Sequence, residues 1–421
     1  MRFQRIKGTR DILPDEIRRW QAAESLIHQV MARFGFSEIR TPVFEETELF
    51  ARGIGQLTDI VSKEMYTFAD RGEKSLTLRP ELTAGVVRAF IENNLGKKQP
   101  VNKLYYLGPV FRQENPQAGR FRQFYQFGAE IIGAAEPAAD VETIALAIAV
   151  YRAFQLDRFV VKLNSVGDAA CREPYKQKLR DYLQPRFDRL CKTCQQRFEK
   201  NPLRILDCKE AGCRAETAAA PRLFDELCEN CARHFASVQQ LLNAAGMQYE
   251  LDFRLVRGLD YYTRTAYEII SDQLGAQDAL CGGGRYDLLV EELGGEATPA
   301  VGFAAGVERL MMVLEKIDWQ PALEKPPLIF LAPLGEAAVL WAVQTAQQLR
   351  QRGMTVEMDL LNRGLKAQLR EANRQQARFA VIVGDNELQA RRATVRDLNS
   401  SQQNEVAFAD LISYLEKSTA R

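Results

Sequence analysis

Two segments, far apart in a chain of 421 residues, concentrate arginine, carboxylate and aromatic side chains within a few positions. The first runs from Phe111-Arg112-Gln113-Glu114 through Arg120-Phe121-Arg122 to Phe124-Tyr125-Gln126-Phe127-Gly128-Ala129-Glu130. The second is Arg257-Gly258-Leu259-Asp260-Tyr261-Tyr262-Thr263-Arg264-Thr265. The planar fork of arginine donates paired hydrogen bonds at fixed geometry, which suits polyphosphate. Aromatic rings suit a flat base, and carboxylates suit a ligand that carries an amine. Together they imply one pocket for ATP and a small amino acid. No Gly-x4-Gly-Lys-Ser/Thr loop is present, so this is not a P-loop enzyme. Gly282-Gly283-Gly284 is a different pattern, and its spacing predicts a tight turn beside a ligand or a closely packed backbone. The chain has two histidines, His28 and His234, which weakens any mechanism that needs a histidine base.

Residues 15 to 34 read as an amphipathic helix. Pro14 and Asp15-Glu16 suit its start, Gly35 suits its stop, and Ile17, Trp20, Ala23, Ile27, Val30 and Met31 recur at helical spacing. Ser37 to Pro42 follows as a short strand. Further strands are predicted over 64–68, 75–78, 104–111, 121–131 and 159–164. The runs 104–111 and 121–131 form a hairpin, as in an α+β antiparallel sheet with helices on one side. Ile144 to Val150 reads as a buried helix. From about 168 to 248 charge rises, strand texture disappears and most of the cysteines cluster, so a helical insertion is expected; a strand over 249–255 then leads to Arg257. Lys325-Pro326-Pro327 marks a linker between a domain over 1–324 and one over 326–421. In the latter, strands over 328–332, 355–358, 379–383 and 393–398 alternate with helices over 337–350 and 365–373, and a closing helix starts from Ala407. That order implies a small α/β domain with a largely parallel sheet. Its arginines (Arg350, Arg352, Arg363, Arg370, Arg374, Arg378, Arg391, Arg392 and Arg396) are nearly balanced by acids, and by composition alone read as a solvated surface.

These residues also resemble the histidyl-tRNA synthetases, which are class II aminoacyl-tRNA synthetases. The first segment resembles motif 2 and the second the family's histidine-binding signature. Ala300 to Leu310 resembles motif 3, and the passage from the first helix to Pro42 resembles motif 1, which in the family lies at the dimer interface. Lys7-Gly8-Thr9-Arg10-Asp11, Thr77-Leu78-Arg79-Pro80-Glu81 and Gly283-Gly284-Arg285-Tyr286-Asp287 fit the same family, in the same order. The resemblance implies a class II catalytic domain and a C-terminal anticodon-binding domain. It implies that ATP, with Mg2+, and L-histidine form histidyl-adenylate, and that the histidyl group passes to tRNA(His). Arg112 and Arg257 match the arginines on the α-phosphate; Arg309, Glu114 and Phe124 match ATP-binding positions. Glu81, Leu82, Thr83, Gln126, Glu130, Tyr261, Tyr262 and Tyr286, with Arg112 and Arg257, match the histidine pocket. Buried carboxylates, an amide and phenols are apt partners for an ammonium and an imidazole. Leu82 stands where the family has glycine, Asn115 where arginine is common, and Leu288 where glycine is usual.

Formal net charge is +1, which neither favours nor excludes nucleic acid, because a local basic face is enough to bind RNA. The N-terminus has no signal-peptide core and no apolar run reaches the roughly 18 residues of a membrane span. A cytoplasmic homodimer is expected. Eight cysteines without a signal peptide point to thiols or metal. Cys191-x2-Cys194 and Cys228-x2-Cys231, with Cys208 and Cys213 between, predict one structural zinc per chain on the two paired elements. His234 is near enough in sequence to be a further ligand, and reduced thiols in a helical insertion are the alternative. Two other readings of the whole chain compete with the enzyme. One is a regulatory subunit of ATP phosphoribosyltransferase, which shares the fold but has eroded motifs 2 and 3 and typically lacks the C-terminal domain. The other is a tRNA-binding module without ligase activity. Arg112, Arg257, Arg309 and the C-terminal domain argue against both.

Overall fold

The sheet that carries most of the chain orders its strands by long-range pairing, not by sequence. The computed structural model describes residues 3–55, 58, 60–116, 119–257, 259–274, 279–321 and 326–419. Gln117 and Ala118 of the first segment, Gly258 of the second and Lys325 of the expected linker lie outside the described residues. Two compact units are present, Met1–Pro321 and Ala322–Arg421.

In the first unit the strands are β1 (Ser37–Glu38), β2 (Phe44–Glu46), β3 (Tyr66–Ala69), β4 (Ser75–Leu78), β5 (Asn102–Phe111), β6 (Gln123–Ile132), β7 (Val160–Ser165), β8 (Glu250–Leu251), β9 (Thr263–Ile270), β10 (Ala279–Arg285) and β11 (Ala300–Gly306). Eight of them form one sheet in the order β1-β5-β6-β11-β10-β9-β7-β8, and β2-β4-β3 form a second. The six central strands pair antiparallel throughout, while β1 and β8 add short parallel edges. The expected hairpin is β5–β6, in register from Asn102↔Ile132 to Phe111↔Gln123. The strand expected over 249–255 shrinks to the two residues of β8. Its neighbour β7 has β9 on its other side, and the chain turns away at Asp252 to deliver Arg257 from a loop.

Strand periodicity sorts the sheet into two faces. Phe127, Ala129 and Ile131 of β6, Tyr267 and Ile269 of β9, and Val301 and Ala305 of β11 enter an apolar core with the helices Pro14–Arg33, Pro137–Ala153 and Val307–Lys316. The alternate residues face the opposite side. There the sheet is covered in part by Val86, Val87 and Phe90 of the helix Thr83–Glu92, so helices pack on both faces, not on one as expected. A buried ion pair ties the layers: Arg285 of β10 donates from Nε to Asp140 at 3.1 Å and from Nη2 to the carbonyl of Ala134 at 2.6 Å. Both charged side chains are fully buried, and Arg285 is compensated by Asp140 together with Asp287, which its Nη1 meets at 3.1 Å. His234 faces Asp140 at 3.3 Å and not a cysteine, which removes it from the expected metal ligands. The other histidine, His28, meets the Tyr105 hydroxyl at 2.8 Å.

The insertion is helical, as the loss of strand texture predicts, with Ala169–Leu183, Lys192–Lys200, Ala211–Glu216 and Glu229–Ala244 joined by 3-10 turns. The second unit holds β12 (Leu328–Pro333), β13 (Thr355–Met358), β14 (Phe379–Val383), β15 (Arg392–Asp397) and β16 (Gln403–Ala407) in the order β13-β12-β14-β15-β16. The first three pair parallel and the last two antiparallel. The sheet is therefore mixed, and Ala407 ends a strand where a closing helix was expected to begin; that helix starts at Leu411. Several of its arginines are held by the chain itself. Arg363 and Arg374 share Glu371, and Arg350 donates to the carbonyl of Val356.

Candidate functional site

The outward face of the large sheet is hollow because small residues stand opposite long ones. Across β6 and β11, Glu130 pairs with Gly302 and Gln126 with Gly306. Across β9 and β10, Glu268 pairs with Gly282. The result is a cleft with about 1040 Å³ of empty volume, its mouth included. A methyl group on Gly302 would lie 1.6 Å from Oε2 of Glu130, and one on Gly282 would lie 1.9 Å from Nη2 of Arg257. Gly282 to Gly284 are thus strand residues, not a turn. They admit side chains from above, and the closely packed backbone is the reading that the structure supports.

One part of the cleft is acidic and phenolic. Glu130 is buried, and its Oε1 accepts hydrogen bonds from Thr83 Oγ1 at 2.8 Å and Tyr106 at 2.9 Å, while Oε2 accepts from Tyr286 at 2.5 Å. Burial pushes its carboxyl up to about 7, against the pull of those three donors. Beside it, Glu81 accepts from the amides of Thr83 at 2.6 Å and Ala84 at 3.0 Å, at the start of the helix Thr83–Glu92. Burial raises the Glu81 carboxyl and these amides oppose the rise. Tyr261 packs on Tyr262 and edge-on to Tyr286, with ring centroids 4.7 and 5.5 Å apart. Both Tyr261 and Tyr262 are buried and line the cleft. They precede β9 in a turn, so strand alternation does not split them between faces. Gln126 Oε1 is buried without a hydrogen-bond partner among the described residues, an acceptor left for something that enters.

Arginines dominate the rest. Arg112 is fixed by donation from Nε to the Pro80 carbonyl at 2.8 Å, and lies 5.4 Å from the centroid of Phe124. Glu114 sits 3.6 Å from Arg112 and 3.2 Å from Arg120. Arg257 pairs with Glu268 at 2.5 Å and lies 5.5 Å from the centroid of Tyr262, and its buried Nε has no hydrogen-bond partner among the described residues. Although burial opposes its charge, the Glu268 carboxylate raises its pKa on balance. Arg309 donates to the Ala279 carbonyl at 2.8 Å. Its pKa is lowered by burial first and then by the neighbouring Arg120. An anion entering here would relieve that crowding of positive charge. Glu308, next in the chain, accepts twice from the amide of Tyr125, at 2.9 and 3.0 Å, and burial raises its carboxyl to about 7.

The cleft therefore gathers Glu81, Thr83, Arg112, Glu114, Phe124, Gln126, Glu130, Arg257, Tyr261, Tyr262, Tyr286 and Arg309. Leu82 is the exception among the expected residues. Its side chain is 2 % exposed and turns into the core with Leu289 and Val290, so the leucine fills space behind the site and does not narrow it. Asn115 and Leu288 are exposed. Sequence reasoning missed Glu268 and Gly302. The signal for Glu268 lay in its even spacing from Ala266 on β9; Gly302 needed the cross-strand register.

The cysteines depart from the expected pairing. Cys191 and Cys194 gather with Cys208 and Cys213, whereas Cys228 and Cys231 gather with Asp168 and Cys171. The ligand set Cys191, Cys194, Cys228 and Cys231 is therefore corrected. Each Cys-x2-Cys element begins its own helix, and those helices meet different partners.

The fold and this cleft have counterparts among known proteins. The sequence pattern of the histidyl-tRNA synthetase family matches residues 8–310, and that of the anticodon binding domain family matches residues 329–418. A curated histidine–tRNA ligase of Desulforamulus reducens is 48 % identical over 416 residues, 99 % of each chain. Another, from Desulfitobacterium hafniense, is 50 % identical over 411 residues, 97 % of each chain. The crystal structure of apo histidyl-tRNA synthetase from S. aureus superimposes with a TM-score of 0.82 at 37 % identity, covering 98 % of this chain and 99 % of that one. The chain belongs to the histidyl-tRNA synthetase family.

The raised carboxyl of Glu130 makes stability depend on pH. Its folded value of about 7 exceeds the ordinary 4.5. The folded state therefore holds the proton more tightly, and this contribution is lost as pH rises from about 4.5 through about 7. Glu130→Gln keeps the neutral form throughout. Urea unfolding should show the variant gaining on the parent by about 3 kcal/mol across that window; Glu308 contributes equally to both proteins and cancels. A difference that stays flat from pH 5 to pH 8 would show that Glu130 is ionised in the folded protein.

Proposed function

We propose that this chain activates L-histidine with ATP and transfers it to the 3′ end of tRNA(His). The observation that carries the reading is the meeting, in one cleft, of Arg112 and Arg257 with the box formed by Glu81, Glu130 and Tyr286. The histidine carboxylate attacks the α-phosphorus, the bond from that phosphorus to the bridging oxygen breaks, and pyrophosphate leaves. A terminal ribose hydroxyl then attacks the carbonyl of the mixed anhydride and AMP departs. Arg112 and Arg257 hold the α-phosphate, Arg309 holds another part of the triphosphate, and Phe124 and Glu114 receive the adenine. Glu81, Thr83, Gln126, Glu130, Tyr261, Tyr262 and Tyr286 receive the ammonium and imidazole. A pocket that pairs its buried polar groups with an imidazole rejects apolar isosteres, which would leave those groups unpaired.

Mg2+ would neutralise charge on the phosphates. The cleft carboxylates nearest the arginines, Glu114 and Glu268, are already ion-paired. They line the cleft and would be the residues to hold the ion beside the phosphates, since this metal usually takes one or two carboxylates together with phosphate oxygens and water. No helix among the described residues is long and apolar enough to cross a membrane. That is compatible with work in the cytoplasm beside tRNA.

Arg257→Ala should lower histidine-dependent ATP–pyrophosphate exchange by roughly 100- to 1,000-fold, the typical effect of removing one preorganised donor at a charge that develops in the transition state. Histidine binding should change much less, and lysine should rescue poorly because a point charge lacks the bidentate fork. Near-normal exchange by a folded variant would remove Arg257 from the chemistry. Deleting residues 326–421 should greatly reduce tRNA charging and leave some adenylate formation, since unpaired anticodon bases would lose their binding surface. Undiminished charging by a folded truncation would refute that role. The protein should be a homodimer that covers Phe44 and Phe68, apolar rings 52 % and 45 % exposed on the β2-β4-β3 sheet. A monomer in sedimentation equilibrium at micromolar concentration would exclude this.

A further inference from the structure

The helical insertion carries two separate tetrads of metal-ligating side chains, none of them among the residues that line the catalytic cleft. The first is Cys191, Cys194, Cys208 and Cys213, and the second is Asp168, Cys171, Cys228 and Cys231. Within each tetrad one ligand atom from every residue lies within 4.8 Å of all the others. Four thiolates around a tetrahedral zinc at about 2.3 Å stand about 3.8 Å from one another. Sγ of Cys191 and Sγ of Cys208 are 3.9 Å apart, and Sγ of Cys228 and Oδ2 of Asp168 are also 3.9 Å apart. These are the edges of such a tetrahedron and not the roughly 2 Å of a disulfide. None of the eight cysteines is in a disulfide.

The two tetrads share a construction. Cys191 and Cys228 are both N-cap residues of a helix, with backbone angles of −64° and 157° in one and −64° and 160° in the other, and Cys194 and Cys231 lie in the first turns that follow. The amide of Cys191 donates to Sγ of Cys213 at 3.1 Å, and the amide of Cys228 donates to Sγ of Cys171, also at 3.1 Å. In each case the first cysteine of one element thus supports a thiol from the opposite element. Asp168 occupies in the second tetrad the place that Cys191 and Cys228 occupy in the Cys-x2-Cys elements. It is the N-cap of Ala169–Leu183, three residues before Cys171. Its Oδ1 accepts from the Cys171 amide at 3.3 Å, which leaves Oδ2 turned towards Cys228. A carboxylate oxygen is an accepted zinc ligand beside thiolates.

The local structure needs such cross-links. Lys192–Lys200 has nine residues and Ala211–Glu216 has six, and one 3-10 turn, Pro202–Ile205, lies between them. Helices of this length are marginal in isolation. The buried members of the tetrads, Cys171, Cys194, Cys213 and Cys231, sit inside the same apolar cluster as Tyr175, Leu179 and Phe198, so ligation would hold the insertion together from within.

We propose that the insertion binds two structural zinc ions, one held by four thiolates and the other by a carboxylate and three thiolates, and that neither site contains both Cys-x2-Cys elements. Binding both ions would release protons from as many as seven thiols. Full-length protein prepared with zinc and without chelator should contain two zinc ions per chain by elemental analysis. Cys194→Ser and Cys231→Ser should each retain one, and Asp168→Cys should retain two while resisting chelator longer at the second site. A wild-type measurement stands independently of how those variants fold. Titration with an organomercurial, with released zinc read by a chromophoric chelator, should free two ions as seven thiols react, leaving Cys281, buried in β10, for last. One zinc per chain, iron in its place, or no metal after zinc reconstitution under reducing conditions would each overturn the proposal.

Discussion

Glu130 is a carboxylate placed where a carboxylate is costly, and much of the catalytic unit is arranged around that cost. Removing it from water without partners would be strongly unfavourable. Three hydroxyls from separate segments of the chain, Thr83, Tyr106 and Tyr286, donate to it instead. Its neighbour across the sheet must be glycine, because any side chain at position 302 would occupy the carboxylate's own space. The same opposition of long and small residues recurs at Gln126–Gly306 and Glu268–Gly282. The cleft is thus a property of register. A slip of one residue would bring Ala129 or Ile131 to the cleft side and bury the carboxylates in the apolar core.

Electrostatics divide the cleft by function. Near Glu130 and Glu81 the unsatisfied demand is for positive charge and hydrogen-bond donors. Near Arg112, Arg120 and Arg309 it is for negative charge: burial lowers the pKa of Arg309 first, and the neighbouring Arg120 and Arg112 lower it further. A ligand that carries an ammonium at one end and phosphates at the other meets both demands at once. The carboxylates Glu114 and Glu268 pair with Arg112, Arg120 and Arg257 and hold them in place. On the proposed reading little reorganisation is then left for the chemical step, which is where electrostatic catalysis gains most.

The insertion is built on a different principle. The catalytic sheet is held by long strand pairing and a two-sided core. The insertion consists of short helices whose cysteines converge in two groups, and its coherence comes from points of cross-linking within a small apolar cluster. Both kinds of construction meet near β7, where the sheet leads into the Asp168 helix.

Residue type and local period alone determined much of this protein. The helix over 14–33, the β5–β6 hairpin, the loss of strands after 168 and the chemistry of two arginine-rich segments follow from apolar spacing, turn residues and side-chain donor geometry, all of which act over a few residues. Only the tertiary structure decided what depends on contacts between distant segments. It turned Leu82 into the core, sent both Tyr261 and Tyr262 into the cleft, left β8 two residues long and placed Gly282 to Gly284 inside a strand. It also separated Cys191 and Cys194 from Cys228 and Cys231. Spacing revealed two similar elements, but two Cys-x2-Cys elements in one sequence match each other as well as they match any third partner. Which thiols converge is fixed by how the helices pack, and no local pattern of residues encodes that choice.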